Sequence, residues 1–260
     1  MNNASQSRNL LFLAASVAVL AACGAEEISS PGSGGNISIT NNTPAPPPPP
    51  PPPVSTLVTP AAGCPTIDDS AGLTDLGTIS GPTGTYRNCG LPSRITRSSK
   101  LTKIPGLLYS LPGRVDVGTD LGATGGSGVT LTIDPGVVIF GATGVSWLAV
   151  NRGNRISAVG TATQPIVFTS RDNVLGLVTD DSQGQWGGVV LLGRAPITDC
   201  TVAPNAPPGS ATCERQTEGA TDPAYYGGAT PTDNSGTMKY VQIRYSGYVL
   251  SGNSELQALT

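Results

Sequence analysis

Between residues 106 and 192 the chain sets out eight short β-prone runs, and most junctions between them hold a glycine, a proline or a polar turn. The runs fall at 106–110, 114–117, 129–133, 137–140, 147–150, 155–159, 165–169 and 189–192. A sandwich of antiparallel sheets calls for longer strands joined by two-residue hairpins, with Asn-Gly or Asp-Gly at the turns. Those dipeptides are missing from these junctions. The connectors often begin with Pro-Gly or Gly-Thr, which bend a chain from one flat face to the next while it keeps winding in one direction. Brief strands that recur in this way pair between stacked coils, the logic of a solenoid.

The stretch Thr132-Ile133-Asp134-Pro135-Gly136-Val137-Val138-Ile139-Phe140-Gly141 makes the expectation concrete. In a parallel β-helix Thr130, Thr132 and Asp134 point outward, and Leu131 and Ile133 point inward. Pro135-Gly136 turns the corner and Val137 starts the next face. Proline fixes φ and glycine accepts a positive value, so the pair bends the backbone with little strain. A closed β-barrel with irregular loops is the competing architecture. Composition agrees with an all-β fold: only 12% of residues are charged, Gly and Pro are abundant, and no amphipathic helix of three turns stands out in 61–260.

Three segments carry a family resemblance. They are 130–141 (TLTIDPGVVIFG), 156–170 (ISAVGTATQPIVFTS) and 184–193 (GQWGGVVLLG), and 233–247 (DNSGTMKYVQIRYSG) continues the pattern. Their order resembles secreted bacterial right-handed parallel β-helix proteins of the pectin-lyase-like type, many of them lipoproteins, over roughly 114–260. The resemblance implies a role at the cell surface, on or with polysaccharide or alongside outer-membrane uptake receptors. That implication is an analogy of fold, because one fold hosts many functions.

The amino terminus predicts an address. Arg8 precedes the apolar run 10–20, which is shorter than the about 20 residues a membrane span needs but fits a secretory signal. The run ends in Leu20-Ala21-Ala22-Cys23, which resembles the lipobox whose cysteine is lipidated and becomes the mature amino terminus. Residues 1–22 are therefore expected as a lipoprotein signal peptide and Cys23 as the lipidation site. Gly24, in place of the aspartate of inner-membrane lipoproteins, implies the outer membrane, at its periplasmic face or the cell surface. Residues 23–60 read as a disordered Gly/Ser/Pro-rich linker, and Pro46 to Pro53 as a polyproline II spacer of roughly 25 Å at ~3.1 Å per residue.

Four further cysteines, Cys64, Cys89, Cys200 and Cys213, form an even set for an oxidising compartment. Three pairings are possible, and sequence proximity favours Cys64 with Cys89 and Cys200 with Cys213. A metal site is the weaker reading, since no CxxC pair and no histidine accompanies them. The formal charge of −3 becomes −4 once Arg8 is removed, which argues against nucleic acid and anionic headgroups as partners.

The absence of histidine excludes Ser-His-Asp and Cys-His machinery. Acid-based glycan chemistry would fall to Asp180, Asp181 or Asp233, although aspartates in such places are commonly turn formers. No catalytic residue is assigned on this basis, no cofactor is expected, and Ca2+ has no motif to support it. The long departure from the coil rhythm at 195–235 holds Asp222, Tyr225 and Tyr226 in a Gly-rich setting, and adjacent tyrosines offer flat faces to sugar rings. Arg244 shares a strand face with Gln242 and is a further binding candidate. Trp147 and Trp186 are expected to fill space between coils, and 122–128 reads as a flexible turn.

The expected organisation is an N-terminal cap at 61–105 and a right-handed parallel β-helix at 106–260 with a loop insertion at 195–235. The alternating 256–260 carries no polar cap and suggests a solenoid truncated at its C-terminus. The expected function is non-catalytic: a rigid surface, anchored to the bilayer by lipid, for polysaccharide or an envelope protein. A surface lyase or glycoside hydrolase is the alternative.

Overall fold

The computed structural model describes residues 57–260 apart from Thr221 and Asn253. The expected signal peptide, Cys23 and the proline run all lie outside the described residues. The described chain winds through coils that each contribute one strand to each of three parallel sheets.

The first coil holds β1 (Thr74–Gly81) as an antiparallel edge, then β2 (Gly84–Gly90), β3 (Arg94–Ile95) and β4 (Ser99–Leu101). The second has β5 (Leu107–Leu111), β6 (Arg114–Val117) and β7 (Thr130–Ile133), and the third β8 (Val138–Gly141), β9 (Trp147–Val150) and β10 (Arg155–Val159). The fourth opens with β11 (Ile166–Ser170), a short helix α1 (Arg171–Leu175) and β12 (Gly188–Leu191). It then detours through the hairpin β13 (Arg215–Gln216) and β14 (Tyr225–Tyr226) before closing with β15 (Gly236–Lys239), and β16 (Val241–Ile243) starts a fifth. The sheets run β1-β2-β5-β8-β11-β16, β3-β6-β9-β12 and β4-β7-β10-β15, called here the first, second and third.

All eight expected runs lie on β5 to β12, shifted by a residue at most at the ends. Strands β2, β3 and β4 fall within 61–105 and already stack in parallel on β5, β6 and β7. Strands β3 and β4 are only two and three residues long and β2 is mostly polar, so their sequence lacks the apolar run that marks later coils.

The corner at Asp134 is built as the local sequence requires. Leu131 and Ile133 are buried, Thr130, Thr132 and Asp134 are half-buried, and Gly136 sits at φ 76. The Asp134 amide donates to the Leu101 carbonyl of the coil before (3.0 Å), and the Gly136 amide to the Gln164 carbonyl of the coil after (3.0 Å). Lys100 pairs with Asp134 at 3.0 Å. Corner amides that no strand satisfies are thus satisfied by neighbouring coils.

Inside the coils Ile133, Leu131, Leu148, Ile139, Phe168 and Trp186 belong to one continuous core. The Trp186 ring stacks on Phe168 with centroids 6.4 Å apart, and its Nε1–H donates to the Arg244 carbonyl at 2.7 Å. Tyr109 is buried there too; its hydroxyl donates to the Thr102 carbonyl at 2.8 Å, and burial pushes its pKa up to about 12.

The strand patterns also say which sheets are covered outside. The third sheet alternates, as in β7 and β10, because its outer face meets solvent. Strands β5 and β9 are buried at every residue. Both of their faces are occupied, so the run is continuously apolar rather than alternating.

The N-terminal end is fastened by Cys64–Cys89, which bonds the segment before β1 to β2. Asp69 does the same through hydrogen bonds from the backbone of Ala71, Thr96 and Arg97 and from the Thr96 hydroxyl. Burial by itself would raise the Asp69 pKa, but these donors together outweigh it and hold the carboxyl below its ordinary range.

Two outcomes test this architecture. Leu148→Ala, at a position with 0% exposure, should cost about 3 kcal/mol in chemical denaturation, whereas Val159→Ala, 41% exposed on the outer face of β10, should cost less than about 0.5 kcal/mol. Asp69→Asn should destabilise by about 1–2 kcal/mol at neutral pH. Because the folded pKa is depressed, that contribution is present above the unfolded value of about 3.9 and fades as pH falls through the folded one. Wild type and variant should therefore converge in acid.

Candidate functional site

The insertion between β12 and β15 lies over the outer face of the second sheet. Trp147 and Ala149 of β9, Val190 of β12 and Leu192 turn away from the core and form a second buried cluster with Ala224 and Leu256, against which Tyr226 packs. This explains the unbroken apolar runs Trp147-Leu148-Ala149-Val150 and Val189-Val190-Leu191-Leu192. Half of each run faces the core and half faces the insertion.

Three arginines hold the insertion in place, and none was apparent as a key residue in the sequence. Arg114 of β6 lies over the Trp147 ring at 4.7 Å and donates to the carbonyls of Asp222 (3.1 Å) and Pro223 (3.0 Å). Arg152, whose side chain is 3% exposed, pairs with Asp120 at 2.6 Å and Glu214 at 2.5 Å and donates to the Gly227 carbonyl. Burial alone would lower the pKa of its guanidinium, and the hydrogen bonds to Asp120 and Glu214 outweigh that and raise it. Arg194 pairs with Asp233 at 3.2 Å and donates to the carbonyls of Gly125 and Gly126. The turn at 122–128 is therefore tied to the insertion. Within the insertion, Cys200 is bonded to Cys213.

Asp233 is occupied by this clamp: its carboxylate accepts from both the Arg194 amide (2.7 Å) and Nε (3.2 Å). Asp180 and Asp181 lie on the connection from β11 to β12, the corner between the first and second sheets. Asp233 lies just before β15, at the corner between the second and third. The fold thus sets Asp233 at a different corner from Asp180 and Asp181. Among the described residues no three His, Cys, Asp or Glu side chains are grouped to hold a metal ion.

The binding candidates divide as well. Tyr225 and Tyr226 form β14, paired with β13, and strand alternation sends their rings to opposite sides. Asp222 contributes its carbonyl to Arg114. Arg244 donates to the Gln242 side chain on the same face and borders a trough of about 500 Å³ along the outer face of the first sheet. Tyr86, Leu108, Val138 and Val167 form the floor of that trough, which is mainly apolar.

Tyr226 lines a different concavity of about 420 Å³, between β12, the β13–β14 hairpin and 255–260. Its polar rim comprises Arg215, Glu218, Glu255 and Gln257. Thr217 also lines it, 5% exposed, with a buried hydroxyl that has no hydrogen-bond partner among the described residues. A buried hydroxyl left without a partner costs about 1–3 kcal/mol. Residues 255–260 take part because they continue the second sheet: Leu259 bridges in parallel to Val189, and the Leu191 amide donates to the Thr260 carbonyl at 2.8 Å. The strand-like alternation of 256–260 was the sequence signal for this wall. Arg215, Thr217 and Glu218 had none, because a two-residue strand in a polar loop has no recognisable period.

Arg152→Ala should loosen the insertion at a cost of about 2–3 kcal/mol, because it removes a buried guanidinium that bonds two partly exposed carboxylates and leaves the Gly227 carbonyl without that donor. Hydrogen exchange should accelerate across 199–227 while the amides of β7 stay protected. Arg215→Ala, which removes a more exposed pair with Asp199, should cost less than about 1 kcal/mol.

No curated protein and no solved structure matches the chain. A family model described as a pectate-lyase-like β-helix domain matches residues 103–260, more than half of the chain and nearly all of the stacked coils. With three parallel sheets wound around one core, the chain belongs to the pectate-lyase-like β-helix domain family.

Proposed function

We propose that this protein is a non-catalytic carbohydrate-binding lipoprotein of the outer membrane, held by lipid on Cys23 and set off from the bilayer by the proline-rich linker. Its binding site is the concavity under the insertion. The observation that carries this reading is the set of groups meeting there: the Tyr226 ring and the rim of Arg215, Glu218, Glu255 and Gln257. Saccharides present apolar ring faces edged by hydroxyls, and an aromatic side chain beside planar polar groups suits that chemistry. The clamped insertion supports it further, since a site held by buried ion pairs and a disulfide loses little entropy on binding.

The catalytic alternative draws no support from Asp180, Asp181 and Asp233, which lie at two corners, one of them engaged by Arg194.

A glycan array probed with the detergent-solubilised full chain should return binders, and Tyr226→Ala should weaken the best of them by about tenfold. Thr217→Val should raise the stability of the free protein by about 1 kcal/mol, because the unpartnered hydroxyl is removed. An array without binders, or unchanged affinity in Tyr226→Ala, would overturn the assignment.

A further inference from the structure

We propose that the trough on the outer face of the first sheet binds a single-chain anionic amphiphile, a fatty-acid carboxylate, with its tail laid across the strands and its head on Arg244. This site lies on a different sheet from the concavity beside Tyr226 and stands independently of the carbohydrate reading. Its floor is a row of side chains that crosses the coils. Val138 lies opposite Val167 and Val167 opposite Gln242, and with Tyr109 opposite Ile139, Leu108 falls in the same row. Tyr109, Ile139 and Phe168 turn into the core, so by strand alternation Leu108, Val138 and Val167 turn outward. From Leu108 to Gln242 the row spans three strand spacings of ~4.8 Å, roughly 14 Å. The β1–β2 turn at Pro82 and the segment after α1 at Val178 border it, so the row lies in a bounded trough of about 500 Å³.

Charge and hydrogen bonding select the occupant. Arg244 is the one charged residue that lines the trough among the described residues, and it lies on β16's side of the row, beside Gln242. Its side chain bonds Gln242 and takes part in no ion pair among the described residues. A guanidinium has five N–H donors, so a pair remains for a carboxylate. The uncharged polar side chains of the trough are already bonded to one another. The Thr83 hydroxyl pairs with the Tyr86 hydroxyl at 2.9 Å, and the Asn173 amide donates to the Thr169 hydroxyl at 2.8 Å. The backbone groups of the floor are spent in the sheet. A saccharide or a peptide backbone would leave polar groups unanswered here, whereas an alkyl chain needs no partner. Its tail removes half-exposed valine surface from water, and a carboxylate at its end meets Arg244 at the exposed rim.

The test is titration calorimetry, below micelle-forming concentrations, with octanoate, decanoate, dodecanoate and dodecyltrimethylammonium. Both disulfides and every residue of the three apolar clusters lie within 57–260, so a chain beginning at Gly24 keeps them while no lipid or detergent competes. Dodecanoate should bind about tenfold more tightly than the cation of equal chain length. Among the carboxylates, affinity should rise about fourfold with each two methylenes added, as for a tail that is half enclosed. Arg244→Gln should bring anion and cation to within about twofold, and Val167→Thr should weaken dodecanoate about threefold. Arg244 is exposed and Val167 half-buried, and an unchanged denaturation midpoint establishes that each variant is folded.

No binding of dodecanoate, equal affinity for the cation, or affinity independent of chain length overturns the proposal. So does a preference for the anion that survives Arg244→Gln. Sedimentation of the same chain as a dimer that Val167→Thr disperses would assign the trough to a second copy and overturn it as well.

Discussion

Backbone hydrogen bonding between successive coils is the constraint on which the rest of this structure depends. From β3 onwards each strand has two to five residues, too few to hold a sheet by itself, and those of the three sheets draw their partners from neighbouring coils. The arrangement works only if every coil sends the same face of each strand inward. Ile133, Ala158 and Met238 stack in this way through the third sheet, and Tyr109, Ile139 and Phe168 do so through the first. The inner column then excludes water from all three sheets at once.

A solenoid of this kind has outer faces to spare, and this chain treats each differently. The third sheet meets solvent. The first is partly covered by α1 and the β1–β2 turn, with Ile79, Leu108 and Phe140 buried beneath them. The second carries the insertion, whose apolar contact with Trp147 and Leu192 is fixed in position by Arg114, Arg152 and Arg194. Burying guanidinium groups is expensive, and here the carboxylates of Asp120, Glu214 and Asp233, with carbonyls of both partners, offset it. What those ion pairs supply is register, because each arginine can satisfy its donors in only one seating of the loop. The concavity beside Tyr226 exists as a consequence of that seating.

Much of this was legible from local chemistry. Pro135-Gly136 marked a corner, alternation in β7 marked its inward and outward residues, and cysteine proximity favoured the pairs Cys64–Cys89 and Cys200–Cys213 that the structure contains. The strands β2 to β4 were missed because β2 is mostly polar and the two- and three-residue β3 and β4 borrow their stability from the coil above, so none carries an apolar run of its own. Asp233 looked like a candidate acid because its partner Arg194 lies 39 residues away in sequence. Thr217 and Glu218 were invisible for a related reason: what distinguishes them is the cavity, not their neighbours in the chain.

The sequence alone determined the class of fold, the corners and the inward residues, since each follows from side-chain periodicity and backbone stereochemistry within a few residues. Which outer face is covered, which acids are tied up in ion pairs and where polar groups converge on a cavity were decided only in three dimensions. Those outcomes depend on contacts such as Arg114 with Asp222, and Arg152 with Gly227, that join distant segments. Local propensity is blind to such pairings, because their energy appears only after the coils have stacked and the insertion has docked.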